Sequence, residues 1–371
     1  MNIHLALDDK FIDYFINRQV VNFPNSVNRY IICTNQKIFK HVKSTNVEIC
    51  PIGSEKDLLN VLTKYNIERV FVHFFSPYFY KVISELPSQI KVYWMFWGGD
   101  GFCHPSIYPD FLDNYSLLFY RSHNYDGKKN KIFNRGFRLK STYQKYIDFR
   151  KRSKLAIKAF RRVDFFCHYL LDDYNLLKKK FKLKAKYLDF CYCSYDDLCT
   201  DEVSYEPKIN CMIGNSANEA NNHISFFEAL KKSNLSFDKV YCPLSYAGDP
   251  AYIKNVILMG KKNFGDKFIP LTDFMDLASY YAILKTCKYF FHNHFRSQAY
   301  GNIVYQIHLG GTVFMNYRSP LRKFLTKNGV NLGMIKGMYI SCPNSKNFNK
   351  QNLKLLLSEV ELNKKYSKIL L

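Results

Sequence analysis

Three stretches of the sequence put glycine and polar side chains where a phosphorylated ligand or a transferred proton could be handled. The first is Cys211-Met-Ile-Gly214-Asn215-Ser216, which continues through Ala217-Asn-Glu-Ala-Asn221 into Asn222 and His223. Gly214 would let backbone approach a ligand closely. Ser216 and Asn222 offer donors, and the helix that follows adds positive dipole character at its N-terminus. A diphosphate or nucleotide loop is one reading; an ordinary strand–loop–helix joint with asparagine caps is the other. The second stretch is His294-Phe-Arg296-Ser-Gln298-Ala-Tyr-Gly301-Asn302. An arginine at a strand end forks onto phosphate oxygens, with Gln298, Gly301 and Asn302 close behind it; a surface arginine in a salt bridge is the alternative. The third pairs His73, closing the run Val70–His73, with Trp97-Gly98-Gly99-Asp100. Asp100 at a rim could serve as general base toward an acceptor hydroxyl. His73 could do the same, hold the acceptor, or be a hydrogen-bonded structural residue.

Metal chemistry finds little support in the same residues. No Asp-x-Asp occurs, and Asp8-Asp9, Asp172-Asp173 and Asp196-Asp197 are adjacent pairs, which project in different directions on a strand. The 11 cysteines include no Cys-x-x-Cys, so they read as reduced, mostly buried thiols. No metal and no cofactor is expected.

These residues need a scaffold, and the chain has one in its alternation of short apolar runs with helix-like stretches. Strands are expected at Asn2–Leu7, Arg29–Cys33, Val47–Cys50, Arg69–Phe74, Lys91–Phe96, Asp164–His168 and Lys186–Phe190, with an amphipathic helix at Lys56–Tyr65. The pattern restarts with strands at Ile209–Ile213, Lys239–Cys242, Lys267–Pro270, Lys288–Phe291 and Thr312–Met315. Helices at about Asn222–Lys232, Pro250–Met259, Asp273–Thr286 and Ala299–Leu309 lie among them. The expected division is an N-terminal Rossmann-like domain over 1–195, an acidic linker over 196–207, a second Rossmann-like domain over 208–345 and a helical tail over 346–371. This is an α/β chain of two doubly wound units, each binding ligands outside the carboxyl ends of its strands.

Charge narrows the partners. The chain has 54 Lys and Arg against 31 Asp and Glu, a net +23. From Gly127 to Tyr187 there are about 20 basic and about 4 acidic residues, so the excess is local. The segment Lys140–Arg162 interleaves Phe149, Leu155, Ile157 and Phe160 with Arg150, Lys151, Arg152, Lys154, Arg161 and Arg162, a helix that could lie on an anionic membrane or bind an anionic acceptor. A solvated basic face on a core-packed helix is the alternative. No apolar run reaches the roughly 18 residues that cross a bilayer. No recognisable nucleic-acid-binding module accompanies the charge, so nucleic acid is not an expected partner.

Taken together, several of these residues match a known family in order and spacing over roughly Val70–Asn316. They are His73 with its strand, Trp97-Gly98-Gly99-Asp100, Ile213-Gly214-Asn215-Ser216, and Asn222-His223-Ile224. Then come Pro243 with Tyr246, Ala251-Tyr252-Ile253, Tyr280 with Leu284 and Cys287, and Arg296-x-Gln298-x-x-Gly301. The chain resembles the bacterial 4-alpha-L-fucosyltransferases that add N-acetylfucosamine from a TDP donor to a lipid-linked intermediate. It departs from them at Gly101-Phe102-Cys103, and residues 1–70 show little likeness.

The resemblance implies a GT-B fold, two Rossmann-like domains facing a central cleft, and metal-independent sugar transfer. It implies a nucleotide-diphosphate sugar, TDP-linked, held by Gly214, Asn215, Ser216, Asn222, His223, Tyr246, Tyr280, Arg296, Gln298, Gly301 and Asn302. The implied acceptor is a polyprenyl-pyrophosphate-linked saccharide of bacterial surface polysaccharide synthesis. The enzyme would then be cytoplasmic and peripheral on the inner face of the plasma membrane. A GT-B transferase using a UDP- or GDP-sugar for capsule or O-antigen is the alternative, and a basic nucleic-acid-binding protein a remote one.

Overall fold

Runs of β-branched and aromatic residues, too short for helices and bounded by polar turns, supply fourteen strands among the described residues. In chain order they are β1 (Asn2–Leu7), β2 (Asn28–Cys33), β3 (Glu48–Cys50), β4 (Arg69–His73), β5 (Lys91–Met95), β6 (Phe165–Cys167), β7 (Lys186–Leu188), β8 (Lys208–Ile213), β9 (Val240–Pro243), β10 (Phe268–Leu271), β11 (Cys287–His292), β12 (Thr312–Asn316), β13 (Gly333–Lys336) and β14 (Tyr339–Ser341). The computed structural model describes residues 1–36, 38–52, 55–125, 139–200, 205–344 and 348–370; the side chains of 10, 55, 124–125 and 139–150 are not described.

The chain forms two compact units. The first comprises Met1–Ile107, Asn134–Ser194 and Glu359–Leu371, the second Tyr108–Phe133 and Tyr195–Ser358. Each holds one sheet. The first unit's strands run in the order β3-β2-β1-β4-β5-β6-β7, all parallel. The second unit's order is β10-β9-β8-β11-β12-β13-β14, parallel except for the β13–β14 hairpin. In each sheet the order reverses once, between β1 and β4 in the first and between β8 and β11 in the second. These are the switch points where open α/β sheets leave a crevice for ligands.

Parallel strands buried on both faces read as continuous apolar runs. In the first unit Trp94, Phe75, Phe160 and Phe166 are fully buried around β5 and the helix Leu139–Arg162, with Trp94 stacked on Phe160 at 4.5 Å. In the second, Cys211, Ile213, Phe226, Phe227, Tyr252, Phe291 and Phe314 form one core.

Several boundaries differ from the sequence reading. The tail is two helices, Asn349–Leu356 in the second unit and Glu359–Leu370 in the first. Tyr366 anchors the last helix, fully buried with its hydroxyl donated to the carbonyl of Tyr192. In the stretch read as a linker, Tyr195–Leu198 is a helical turn, and residues 201–204 lie outside the described residues. Tyr195 pairs with His308 Nδ1 at 2.7 Å, and the hydroxyl of Tyr205 donates to the Cys287 carbonyl at 2.5 Å, both within the second unit. Eight of the 11 cysteines are buried, and none is in a disulfide among the described residues.

Candidate active site

In the second unit the loops after β8 and β11 meet over the switch point, and one side chain joins them. Asn221 Nδ2 donates to the carbonyl and hydroxyl of Ser216 and to the carbonyl of Asn218. Those three acceptors fix the amide orientation, leaving Asn221 Oδ1 to accept from the Asn215 amide at 3.2 Å and from His294 Nε2 at 2.7 Å. Gln298 Nε2 adds a second tie, donating to Asn215 Oδ1 at 2.8 Å. Gly214, Asn215, Ser216, His294 and Gln298 are thus brought together.

Gly214 is needed for a different reason from the one its loop suggested. Its φ is +72°, and a Cβ there would lie 2.7 Å from Asn221 Oδ1 and 3.0 Å from His223 Nε2. The crowding comes from the protein's own polar groups, not from a ligand. Asn222 is likewise structural. It takes φ +53° and donates to the carbonyls of Phe111, Ala220 and Asn293, while its Oδ1 accepts from the Asp113 amide at 2.8 Å. The ties continue through Asn293 and Asn316, whose side chains meet at 2.6 Å. Asparagines therefore lock the carboxyl ends of β8, β11 and β12 to one another.

Beneath the loops lie three buried histidines, His223, His292 and His294. Burial pushes His223 down to about 3 and His292 down to about 4. His294 is held well below the usual imidazole range by burial, with His292, Arg296 and His223 adding to the effect. All three are neutral at pH 7. Since His294 donates through Nε2, its Nδ1 is a bare acceptor, and that atom is buried without a hydrogen-bond partner. His294 opened the second stretch read from sequence, whereas His292 was not recognised, because its partner Gln306 lies on another element.

The anion-handling groups lie just beyond. The helix Tyr300–His308 starts after Ala299, which takes φ +61°, and no side chain caps it. Its first turn brings the positive end of the helix dipole to this loop. Arg296 and Gln298 stand in the loop leading to it. Gly301 sits in its first turn, where a Cβ would meet only Leu198 Cδ2 at 3.6 Å, so packing does not demand a glycine there. Asn302 follows, half-buried. Arg318, exposed after β12, stacks over the Phe295 ring at 4.0 Å and donates to the Asp110 carbonyl. It is a second cation at this edge that sequence spacing did not reveal. Tyr246 is exposed after β9 and its carbonyl accepts from the Ala217 amide, so it borders the first loop. Tyr280 does not join the group. Its hydroxyl packs on Met212 Sδ at 3.5 Å, within β8.

In the first unit the two candidate bases prove to be internal braces. Asp100 is buried. Its Oδ2 accepts from Trp94 Nε1 at 2.6 Å and from the Phe75 amide at 3.0 Å, and its Oδ1 accepts from the Trp97 amide at 3.2 Å. Burial raises its carboxyl against the lowering effect of these donors. His73 is fully buried with both nitrogens engaged, Nδ1 with Tyr192 Oη at 2.6 Å and Nε2 with His4 Nδ1 at 3.0 Å. A group whose lone pairs already face protein donors has no free position for an acceptor proton. The role of general base, expected for Asp100 or His73, does not fit either residue.

The basic helix divides in the same way. Lys151, Arg152, Lys154 and Lys158 are exposed, while Ala156, Ala159 and Phe160 are buried in the core. Over Lys151–Arg162 these buried residues are spent on folding, not left for a membrane. Arg161 Nε donates to the Phe181 carbonyl. Arg162 is a clamp: it binds Asp164 and the carbonyls of Leu86, Pro87 and Ile90, and so is not a free surface charge. The side chain of Arg150 lies outside the described residues. No described helix is long and apolar enough to cross a membrane. Among the described residues no group of three His, Cys, Asp or Glu side chains could hold a metal ion.

Comparison with known proteins relates the chain to glycosyltransferases. The family profile described as 4-alpha-L-fucosyltransferase, glycosyl transferase group 56, matches residues 140–356, more than half of the chain. Among solved structures, Anabaena HepE (Alr3699) in complex with UDP aligns at TM-score 0.58 and 10% identity, over 99% of both chains. A glycosyltransferase from Rickettsia africae aligns at TM-score 0.56 and 10% identity, over 99% of this chain and 91% of that one. WaaG, a glycosyltransferase involved in lipopolysaccharide biosynthesis, aligns at TM-score 0.54 and 9% identity, over 99% and 93%. At such low identity these likenesses establish the fold, which is of the GT-B type.

Proposed function

Because the chain belongs to the 4-alpha-L-fucosyltransferase family, glycosyl transferase group 56, and is a glycosyltransferase, we propose that its second unit holds a nucleotide-diphosphate sugar at the β8–β11 switch point. The observation that carries this reading is the start of Tyr300–His308 directly after the switch-point strand β11, with Arg296 and Gln298 in the loop before it. Amides at a helix N-terminus and a guanidinium together supply the charge-assisted donors that a departing diphosphate needs. Gln298 ties that loop to Asn215, so the Gly214–Ser216 segment borders the same ligand. Asn302 and Tyr246 complete the donor set.

The donor is proposed to be a TDP-linked deoxy or acetamido sugar resembling TDP-N-acetylfucosamine, as family membership favours. A UDP-sugar is the second reading, favoured by the UDP bound in HepE. The acceptor is proposed to be a polyprenyl-pyrophosphate-linked saccharide of bacterial surface polysaccharide synthesis, met by the first unit at the inner face of the plasma membrane. The exposed Lys151, Arg152, Lys154 and Lys158 support recruitment to that surface by charge, at about 1 kcal/mol for each basic residue near anionic lipid.

Thermal melting of the protein with TDP, UDP, GDP and CMP tests the donor assignment. A ligand that binds only the folded state at 100 times its Kd stabilises by about 2.7 kcal/mol. TDP is expected to raise the melting temperature most. A shift with none of the diphosphates would refute a nucleotide-sugar site.

A further inference from the structure

Four half-buried aromatic rings cluster where β1, β4, β5 and β7 of the first unit give way to their loops. Phe11 opens the helix after β1, Phe74 follows β4, Trp97 follows β5, and Tyr192 lies beyond β7. Trp97 is the hub, with ring centroids 5.4 Å from Phe11, 5.8 Å from Phe74 and 5.5 Å from Tyr192. Phe11 and Phe74 follow the two strands that flank this sheet's switch point, the position where such folds receive ligands.

The cluster is held at a conformational cost. Phe74 takes φ +60°, a left-handed conformation that a bulky residue rarely adopts and that persists only when its surroundings enforce it. Asp100 is what enforces it: the same carboxylate binds the amide just after Phe74 and the amide of Trp97. One buried acid thus sets the two backbone turns that aim the two rings.

A second brace fixes Tyr192. Asn28 Oδ1 accepts from Asn2 Nδ2, and Asn28 Nδ2 donates to the Ser26 carbonyl, so Oδ1 is an acceptor toward His4. His4 therefore carries its proton on Nε2, where it meets Asn28 Oδ1 at 3.0 Å, and its Nδ1 accepts from His73 Nε2. His73 Nδ1 is then the acceptor for the Tyr192 hydroxyl. The direction of the chain is set from Asn28 outward. Tyr192 gives its proton inward to His73 Nδ1, and its ring stands edge-on to Trp97 at 5.5 Å, so the same chain fixes Trp97.

We propose that Phe11, Phe74, Trp97 and Tyr192 form a saccharide-binding platform for the sugar acceptor. The apolar face of a pyranose lies against the Trp97–Phe74 pair, with Phe11 and Tyr192 holding the Trp97 ring in place. Asp100 and His73 are positioning residues that act through these rings. The inference rests on the reading of the first unit as the acceptor half.

The chain has two tryptophans, and Trp94 is fully buried with its indole N–H given to Asp100, so a sugar-dependent change in tryptophan emission reports Trp97. The test titrates the full-length protein with the octyl β-glycosides of glucose, galactose and N-acetylglucosamine below their micelle concentrations. Octyl tri(ethylene glycol) is the sugar-free control. At least one glycoside is expected to change the emission saturably where the control does not. Phe74→Gly removes a ring while suiting the left-handed backbone. It is expected to keep or raise the melting temperature and to weaken glycoside binding about tenfold. No saturable response to any glycoside, an equal response to the control, or unchanged binding by Phe74→Gly would overturn the platform. Nucleotide-dependent melting of the same variant keeps the two readings apart. A surviving nucleotide shift alongside a failed platform leaves the donor site standing.

Discussion

His294 Nε2 and Asn221 Oδ1 lie 2.7 Å apart, and that bond fastens the loop after β11 to the loop after β8. Asn221 uses its whole side chain in doing so, since Oδ1 also accepts from the Asn215 amide and Nδ2 donates to Ser216 and Asn218. Replacing it strands several buried groups at once, each costing about 1–3 kcal/mol when left unsatisfied. Asn221→Ala is expected to lower unfolding free energy by at least about 2 kcal/mol in urea melts. A change within about 0.5 kcal/mol, the range of an ordinary surface substitution, would show that the loops are held by something else.

The two glycines of the donor edge should separate cleanly. Gly214→Ala meets Asn221 Oδ1 at 2.7 Å with φ +72°, and is expected to destabilise by about 1–3 kcal/mol. Gly301→Ala meets only Leu198 at 3.6 Å in a helical first turn, and is expected to leave stability unchanged or raise it by up to about 1 kcal/mol. If Gly301 is small to admit the diphosphate, the alanine variant should nevertheless bind nucleoside diphosphate at least about tenfold more weakly in titration calorimetry, a difference of about 1.4 kcal/mol. Undiminished affinity would remove Gly301 from the donor set.

Five buried histidines make stability depend on pH. Burial pushes His4 and His223 down to about 3 and His292 down to about 4, and holds His73 and His294 well below the usual imidazole range. Their folded pKa values lie below the unfolded value near 6.5, so below that pH the unfolded chain binds more protons. Their contribution is fully present above about pH 6.5 and is lost as pH falls toward about 3–4, at about 1.4 kcal/mol per pH unit for each histidine. Urea midpoints should fall steeply between about pH 6.5 and 5, before most carboxylates titrate. A flat profile over that interval would contradict the neutral, buried assignment.

The basic helix should show two kinds of residue. Changing Lys151, Arg152, Lys154 and Lys158 together to alanine is expected to leave melting unchanged and to reduce binding to phosphatidylglycerol vesicles by about 100-fold or more, from roughly 1 kcal/mol per charge. Arg162→Ala should behave oppositely. It strands the carbonyls of Leu86, Pro87 and Ile90 along with Asp164, destabilising by about 2 kcal/mol or more. Equal vesicle binding by the fourfold variant would remove the membrane assignment.

The strands were legible because a parallel sheet covered on both faces needs uninterrupted runs such as Ile31–Cys33 and Val70–Val72, which no surface element would carry. The short hairpin of β13 and β14 was missed, although Gly337, at φ +58° between Lys336 and Tyr339, is the turn signal that could have found it. The loops proposed to hold the donor stood out in the sequence as glycine and polar residues at strand ends. The roles of Asp100 and His73 were not. A carboxylate at a glycine-rich turn looks the same whether it faces solvent or the amides of Phe75 and Trp97, and those partners are set by how strands pair. Arg162 was hidden for the same reason, because its acceptors are carbonyls contributed by residues 86–90.

Calorimetric titration of wild type and Arg296→Ala with the nucleoside diphosphate that stabilises best, and with its monophosphate, bears most directly on the central claim that this edge grips a diphosphate. The wild type should bind the diphosphate at least about tenfold more tightly than the monophosphate, and Arg296→Ala should lose most of that preference, since a charge-assisted pair contributes about 1.5–3 kcal/mol. If the variant keeps both affinities within about twofold, a difference of only about 0.4 kcal/mol, the diphosphate is held elsewhere and the account fails.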